Sequence, residues 1–180
     1  DLMSINKIKA VFLDRDGIIN KDIGYLHKIK DFIFLEWVFA SCRHFQKYGY
    51  KIVIITNQSG IARGYYSEND LINLNKWMLK KFSNENIQIL DVFHCPHMPE
   101  SNCSCRKPKP GMLTIACKKY DIDMSKSWMI GDKESDIIAA NSAGIHNTIL
   151  IKNDTSQEEL RSNAKFILKS IKECIQIIGI

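Results

Sequence analysis

The sequence predicts an α/β fold in which a mainly parallel sheet is covered by helices on both faces. Short apolar runs rich in β-branched residues recur along the chain, and segments with helical periodicity separate them. The size agrees, because 180 residues with 45% apolar and 25% charged side chains suit a globular domain that folds without disulfides. We therefore expect a single domain over residues 1–180.

Four apolar runs are expected to form the strands. They span residues 10–13, 52–55, 128–130 and 148–151. Nearly every side chain in them is apolar, which is typical of strands that are buried on both faces of a sheet.

Helices are expected between and after these strands, from apolar spacing, capping boxes and a helix-compatible proline. The expected helices are one over Val38, Cys42 and Phe45 that stops at Gly49, one that opens with Ser67 and Asp70, one that opens at Pro110, one that follows Asp132 and ends near Gly144, one that opens with Thr155 and Glu158, and one over residues 167–178.

Charge and hydropathy argue against a nucleic-acid or membrane partner. The net charge is +5, but the basic residues are scattered apart from the run 106–109, whereas nucleic-acid binders more often show a dense basic stripe. The longest apolar run has four residues, far short of the roughly 20 that a membrane helix needs. The chain also starts without the apolar core of a secretory signal. We expect a cytoplasmic monomer that binds small anionic molecules.

Acidic and hydroxyl residues follow three of the expected strands. Asp14 and Asp16 come after the first, Thr56 after the second and Asp132 after the third. Ligands bind at the carboxyl ends of parallel strands, so these side chains should converge. Nearby carboxylates repel each other unless a cation lies between them, and oxygen ligands suit Mg²⁺. The pattern predicts a Mg²⁺-assisted phosphate site, in which Asp136 could orient a coordinated water or Lys133.

A cluster of soft metal ligands occupies residues 95–105. Cys95, His97, Cys103 and Cys105 provide three thiols and one imidazole within eleven residues, which is a donor set for structural Zn²⁺. The other three cysteines are far apart, so the cysteine pattern indicates a metal and a reducing compartment, not a disulfide framework. The alternative is a group of free thiols or a redox pair at Cys103 and Cys105.

Three motifs resemble those of the haloacid dehalogenase-like phosphohydrolases. Residues 12–17 (FLDRDG) resemble the first motif of that superfamily, residues 55–57 (ITN) the second and residues 131–136 (GDKESD) the fourth. The resemblance covers nearly the whole chain. It implies a Rossmann-like three-layer α/β/α sandwich, and the chain has no long insertion that would form a large cap domain.

Longer segments resemble one branch of this superfamily. Residues 22–27 (DIGYLH), 56–64 (TNQSGIARG) and 105–112 (CRKPKPGM) are similar to the D-glycero-D-manno-heptose 1,7-bisphosphate 7-phosphatases. The resemblance implies removal of the C7 phosphate from this sugar, in the biosynthesis of nucleotide-activated heptose for surface polysaccharide. The related histidinol-phosphate phosphatases, which act in histidine biosynthesis, are the alternative.

The resemblance also implies a role for each residue of the motifs. Asp14 would be the nucleophile that forms an aspartyl-phosphate, and Asp16 would be the general acid and base. Mg²⁺ would be held by Asp14, the backbone carbonyl of Asp16 and Asp132. Thr56 would hold an oxygen of the phosphoryl group by a hydrogen bond. The resemblance further strengthens the zinc interpretation, because both families carry a zinc loop at this position.

Basic and loop residues are expected to bind the rest of the substrate. Spacing alone does not choose between Lys107 and Lys109 as the cation at the reacting phosphate, while the resemblance favours Lys107. Arg106 would bind the second phosphate. The other expected substrate contacts are Asp22, Ile23, Gly24, Tyr25, Asn57, Gln58, Ser59 and Lys133.

Two features depart from the family pattern. Ile18 stands where the family usually has Thr, and only five residues separate His97 from Cys103. This short zinc loop is the form found in histidinol-phosphate phosphatases, so both substrates remain open.

Two further interpretations compete with these. One is a nucleic-acid end phosphatase of the same fold, which would need a contiguous basic groove. The other is a zinc-stabilised binding module without activity, and the presence of Asp14, Asp16 and Asp132 argues against it.

Overall fold

Strands and helices alternate along the part of the chain that the computed structural model describes, residues 6–153 and 161–179. The strands are β1 (Ala10–Leu13), β2 (Lys51–Asn57), β3 (Ile89–Cys95), β4 (Trp128–Gly131), β5 (Asn147–Ile151) and β6 (Phe166–Leu168). The α-helices are α1 (Val38–Lys47), α2 (Glu68–Asn84), α3 (Gly111–Tyr120) and α4 (Glu134–Ser142), with short 3₁₀ helices at Ile29–Asp31, Met124–Lys126 and Ile171–Gln176. Within these ranges no helix has the length and apolar character needed to cross a bilayer.

The six strands form one parallel sheet in the order β3-β2-β1-β4-β5-β6. Leu13 at the end of β1 pairs with Ile54 on one side and with Ile130 on the other. The chain proceeds from β1 through β2 to β3, and then returns to β4 on the opposite side of β1. The winding direction therefore reverses between β1 and β4, and an open α/β sheet binds its ligands in the crevice at such a point.

Alternate side chains of β1 enter two different hydrophobic cores. Val11 and Leu13 pack with apolar residues of α1, α2 and the C-terminal 3₁₀ helix. Ala10 and Phe12 pack on the other face with residues of α3 and α4. All four side chains are completely buried, as expected for a strand covered on both faces. These layers confirm the predicted three-layer α/β/α sandwich.

Several local predictions are confirmed by the structure. The four predicted strands are all present, and β2 continues to Asn57, two residues beyond the predicted end. The capping box of α2 is formed: the Ser67 hydroxyl accepts from the Asp70 amide at 3.0 Å, and the Asp70 carboxylate accepts from the Ser67 amide at 2.9 Å.

The predicted helix over residues 167–178 is present only in part and is not an α-helix. This segment completes β6, which pairs with β5, and continues as a 3₁₀ helix over Ile171–Gln176. β3 and β6 were both missed by the sequence prediction. The expected helix that opens with Thr155 and Glu158 lies outside the described residues.

Candidate active site

An acidic centre lies at the carboxyl ends of the central strands. Asp14 directly follows β1, Asp132 directly follows β4, and Asp136 lies in the first turn of α4. Each contributes a carboxylate oxygen, and these oxygens lie within 4.8 Å of one another. Burial raises the pKa of Asp14 well above its ordinary value, and the charges of Asp136 and Asp132 act in the same direction. The strand topology therefore concentrates negative charge at this point of the sheet.

The Lys107 ammonium offsets part of this charge. Its Nζ lies 2.8 Å from Asp14 Oδ1 and 2.7 Å from Asp136 Oδ1, and donates to the Ile55 carbonyl at 3.1 Å. Burial opposes the charged form of Lys107, but the Asp136 and Asp14 carboxylates outweigh it and raise its pKa above the ordinary 10.5. Lys107 is therefore a cation at neutral pH, fixed against Asp14.

The three carboxylates fit a divalent cation. Asp132 Oδ1 is buried and has no hydrogen-bond partner among the described residues, and burial raises the pKa of this carboxyl group. Such an oxygen, beside the carboxylates of Asp14 and Asp136, is costly unless a cation neutralises it. An all-oxygen donor set suits a hard ion such as Mg²⁺. Gly17 permits this arrangement, because a Cβ there would lie 2.1 Å from Asp132 Oδ2.

The Asp16 carboxylate is held by two neighbours. Its Oδ1 accepts from Arg15 at 2.9 and 3.2 Å and from the Asn20 amide at 2.9 Å. Arg15 is fully buried and also donates to the Leu26 carbonyl at 3.0 Å. Asp16 keeps 22% of its side chain exposed. It can therefore meet a substrate or a water while its orientation is fixed from behind.

The side-chain amide of Asn57 bonds to both the carbonyl and the N–H of the Lys107 backbone. Its Nδ2 donates to the Lys107 carbonyl at 3.2 Å, and its Oδ1 accepts from the Lys107 amide at 3.1 Å. This clamp ties the end of β2 to the loop that carries the buried lysine. The predicted contact of Asn57 with the substrate stays a prediction, and the structure adds a positioning contact that the sequence did not reveal.

A cavity of about 640 Å³ opens over the acidic centre. Asp14, Asp16 and Lys107 lie in its wall. Most of the expected substrate contacts also line it, namely Asp22, Gly24, Tyr25, Asn57, Gln58, Ser59, Arg106 and Lys133. Ile23 is not among the lining residues and its side chain is half exposed, while Thr56 is buried beneath the wall.

The Cys/His cluster forms one compact group beside this cavity. Cys95 Sγ lies 2.9 Å from Cys105 Sγ and 3.8 Å from Cys103 Sγ, and His97 Nδ1 lies 3.3 Å from the sulfurs of Cys95 and Cys105. The three sulfurs and the imidazole nitrogen all lie within 4.8 Å of one another, and this donor set is typical of tetrahedral metal sites. The segment can therefore hold a metal ion.

The loop from the metal cluster leads directly to the cationic residues of the cavity. Arg106 follows the last cluster ligand and donates to the His97 carbonyl at 3.4 Å. Lys109 donates to the Cys103 carbonyl at 2.8 Å, so of the two lysines that spacing left open, Lys107 is the one at Asp14.

Arg63 and Tyr66 are polar residues of the cavity wall that the sequence analysis did not single out. Arg63 donates to Ser59 Oγ at 3.3 Å and lies over the Tyr25 ring, and Tyr66 stacks on His27 at 5.0 Å. Arg63 lies in segment 56–64, which resembles the heptose-bisphosphate phosphatases, and this resemblance is the only sequence feature that pointed to Arg63. Tyr66 reaches the cavity only through folding.

Known proteins resemble this chain over most of its length. A family model described as HAD-hydrolase-like matches residues 104–174. D-glycero-α-D-manno-heptose-1,7-bisphosphate 7-phosphatase from Photorhabdus laumondii is 47% identical over 169 residues, which is 90% of this chain and 92% of the relative. The corresponding β-heptose phosphatase from Pasteurella multocida is 40% identical over 177 residues, with 94% and 96% covered.

A solved structure has the same architecture. It is the crystal structure of D,D-heptose 1,7-bisphosphate phosphatase from B. bronchiseptica, complexed with magnesium and phosphate. It superposes with a TM-score of 0.83 at 27% identity and covers 94% of this chain and 97% of its own. The matching sequences, the shared fold and the acidic centre lead to one conclusion: this chain belongs to the heptose-1,7-bisphosphate 7-phosphatase family of HAD-like hydrolases.

Proposed function

We propose that this protein removes the C7 phosphate of D-glycero-D-manno-heptose 1,7-bisphosphate, a step toward nucleotide-activated heptose for surface polysaccharide. The observation that carries the proposal is the buried Asp14 carboxylate, held 2.8 Å from the Lys107 ammonium at the base of the cavity. The activity printed for relatives at 40–47% identity supports the choice of substrate.

In the first step, an oxygen of the Asp14 carboxylate attacks phosphorus. The bond from phosphorus to the sugar oxygen breaks, and an aspartyl-phosphate forms. Asp16 donates its proton to the departing sugar oxygen, which leaves as a hydroxyl group. Lys107 faces the attacked phosphoryl group as a fixed cation and stabilises the charge on its oxygens.

In the second step, Asp16 acts as a base. It accepts a proton from a water molecule, whose oxygen attacks the phosphorus of the aspartyl-phosphate. The bond to Asp14 breaks, inorganic phosphate leaves and the Asp14 carboxylate is restored. Asp16 has the exposure needed to meet both the sugar oxygen and the water, and its bonds to Arg15 and Asn20 keep it oriented.

Magnesium is the proposed metal of the acidic centre. Asp14, Asp132 and the backbone carbonyl of Asp16 would hold it, and the unpartnered Asp132 Oδ1 supports this assignment. When bound, Mg²⁺ neutralises charge so that an anionic carboxylate can approach an anionic phosphoryl group.

The rim of the cavity supplies the proposed specificity. Arg106 is suited to a bidentate contact with the second phosphate, and Lys133 and the loop with Asp22 and Tyr25 line the same space. We propose Zn²⁺ as the ion of the Cys/His cluster, where it would hold the loop that carries Arg106.

We also propose a cytoplasmic, monomeric, single-domain protein. The cluster cysteines must be reduced to bind metal, and the structure contains all six cysteines as free thiols.

Side-by-side kinetics test the substrate. The α and β anomers of heptose 1,7-bisphosphate and histidinol phosphate are assayed for kcat/KM, and NMR identifies which phosphate the heptose product keeps. We expect a preference for a heptose bisphosphate and retention of the C1 phosphate. A higher kcat/KM on histidinol phosphate would contradict the proposal, as would heptose phosphate release that continues in Asp14→Asn.

A further inference from the structure

Three largely buried side chains form a series of hydrogen bonds that leads from Tyr66 and Gln58 in the cavity wall to Thr56 beneath it. The Tyr66 hydroxyl donates to Gln58 Oε1, and Gln58 Nε2 donates to Thr56 Oγ1 at 2.8 Å. Tyr66, Gln58 and Thr56 expose only 6%, 2% and 1% of their surfaces, so bulk water cannot replace either bond. The series ends at the Thr56 hydroxyl near the carboxyl end of β2, one residue after Ile55, whose carbonyl accepts from the Lys107 ammonium that contacts Asp14.

The direction of these bonds determines what Thr56 can do. A threonine hydroxyl has one proton and two lone pairs. Because the Gln58 amide nitrogen donates to Thr56 Oγ1, this bond uses a lone pair and leaves the hydroxyl proton available. In the structure the hydroxyl donates this proton to the Asn57 carbonyl at 3.5 Å, a long and weak bond that a phosphoryl oxygen can replace. If the amide were turned over, Gln58 Oε1 would face Thr56 and take that proton.

Tyr66 is the group that selects between the two amide orientations. Burial raises the pKa of Tyr66 to about 12, so its hydroxyl keeps the proton that it donates to Gln58 Oε1. The carbonyl oxygen of Gln58 is therefore held toward Tyr66, and the amide nitrogen toward Thr56.

Neighbouring contacts hold Tyr66 and Gln58 in the positions that these hydrogen bonds require. The Tyr66 ring stacks on His27 with 5.0 Å between centroids and 12° between planes. On another side it packs against Gly60, where a Cβ would lie 2.1 Å from the ring. The backbone N–H of Gln58 donates to the Cys95 carbonyl at 2.7 Å. The phenol and the side-chain amide are thus placed before any substrate arrives.

We propose that Tyr66 is a positioning residue: through Gln58, it keeps the Thr56 hydroxyl proton free for donation to an oxygen of the transferring phosphoryl group. Tyr66 itself does not need to touch the substrate. The inference rests on the proposed phosphatase activity, and it gives a role to a tyrosine that the sequence motifs do not include.

A double-mutant cycle tests the proposal. Tyr66→Phe keeps the ring and removes the donor, and Thr56→Val keeps the side-chain shape and removes the hydroxyl. We expect Tyr66→Phe to lower kcat by about 3- to 10-fold, the effect of one hydrogen bond, with little change in KM. Thr56→Val should lower kcat by about 10²-fold. The double variant should match Thr56→Val, because Tyr66 acts only through that hydroxyl.

Controls separate this role from general damage. Tyr65→Phe removes the hydroxyl of the adjacent exposed tyrosine and should retain the wild-type kcat. If circular dichroism shows that Tyr66→Phe folds poorly, Gln58→Met takes its place in the double-mutant cycle, because it removes the amide that connects Tyr66 to Thr56. Losses that multiply in the double variant, a change confined to KM, or an unchanged kcat in Tyr66→Phe would each overturn the proposal. Failure of the proposed function would look different, since the wild type would then not hydrolyse heptose bisphosphate at all.

Discussion

Lys107 lies between two buried carboxylates, and this placement gives it two effects. It stabilises the folded protein by neutralising Asp14 and Asp136, and it brings a fixed positive charge to the site of phosphoryl transfer. Lys109, two residues away, has the same chemistry but lies against the Cys103 carbonyl on the loop surface. Position within the fold, and not residue type, separates the two lysines.

Lys107→Met should therefore damage both activity and stability. We expect kcat to fall by about 10²- to 10³-fold because a fixed cation at the phosphoryl group is lost. The free energy of unfolding should fall by about 3 kcal/mol, since two buried carboxylates lose their partner. Steady-state kinetics and urea unfolding measure the two effects. Lys109→Met is the matched control and should change kcat by less than about 3-fold. A larger loss in Lys109→Met would contradict the assignment.

Gly17 is required for two separate reasons. Its backbone has φ of +86°, where a side chain is strained, and a Cβ would collide with Asp132 Oδ2 at 2.1 Å. Gly64 has a similar φ of +76°, but nothing lies within 4 Å of the position its Cβ would take. Comparing alanine variants of the two glycines therefore separates the effect of backbone strain from the effect on the acidic centre.

Gly64→Ala should destabilise the fold by about 1 kcal/mol because of the left-handed backbone, and Gly17→Ala by more, because its Cβ must also displace Asp132. Only Gly17→Ala should also raise the Mg²⁺ concentration needed for half-maximal activity, since it displaces Asp132. Thermal unfolding and Mg²⁺ titration of kcat check this. Equal Mg²⁺ dependence in the two variants would count against Asp132 as a metal ligand.

The Cys/His segment connects a metal site to the active-site cavity through a few residues of backbone. Cys95 ends β3, and Arg106 and Lys107 follow Cys105. A Cβ on Gly111 would lie 2.2 Å from the Ser104 carbonyl, so the loop also packs closely on the start of α3. A metal ion would therefore fix the short loop that carries Arg106 and Lys107.

Cys103→Ser should lose the bound metal and lower kcat, although residue 103 is not a catalytic group. The physical reason is that a loosened loop lets Arg106 and Lys107 move, and small displacements of positioning groups cost up to about 10²-fold. Metal analysis by mass spectrometry and steady-state kinetics measure both effects. Cys117→Ser, outside the cluster, is the control and should retain metal and activity. Normal turnover in a metal-free Cys103→Ser protein would contradict this link.

The edges of the sheet show why some elements escaped prediction. Every residue of β3 before Cys95 is only partly buried, and Asp91 and His94 interrupt its apolar pattern, so it lacks the signal of a central strand. The C-terminal segment has apolar side chains at helical spacing, with Ile171 and Cys174 buried three residues apart. A 3₁₀ helix satisfies that spacing as well as an α-helix does.

Taken over the full fold, the acidic centre makes stability depend on both metal and pH. Asp14 and Asp132 have pKa values raised above the ordinary 3.8 when no metal is bound. The folded metal-free protein therefore holds protons at a pH where the unfolded chain has released them. Its stability falls as pH rises from the unfolded pKa through the raised folded pKa, and the full cost is present above that range.

Mg²⁺ should reverse this cost, because it replaces the protons at the carboxylates. We expect MgCl₂ to raise Tm, and the increase to grow as pH rises through the raised folded pKa of Asp14 and Asp132. Differential scanning calorimetry over a pH series, with and without the metal, measures it. Asp132→Asn should lose most of the increase while its metal-free stability is no lower than that of the wild type. A Tm increase that is independent of pH would contradict this linkage.

The amino-acid sequence was sufficient to predict the central strands, the capped helix α2, the acidic residues at strand ends and the Cys/His cluster. Those features depend on local periodicity and on residue types that lie close together in the chain. Contacts between distant segments had to come from packing: Lys107 reaching Asp14 and Asp136, and Asn57 clamping the Lys107 backbone. Such pairings arise when strands far apart in the chain become neighbours in one sheet, and no local pattern records them.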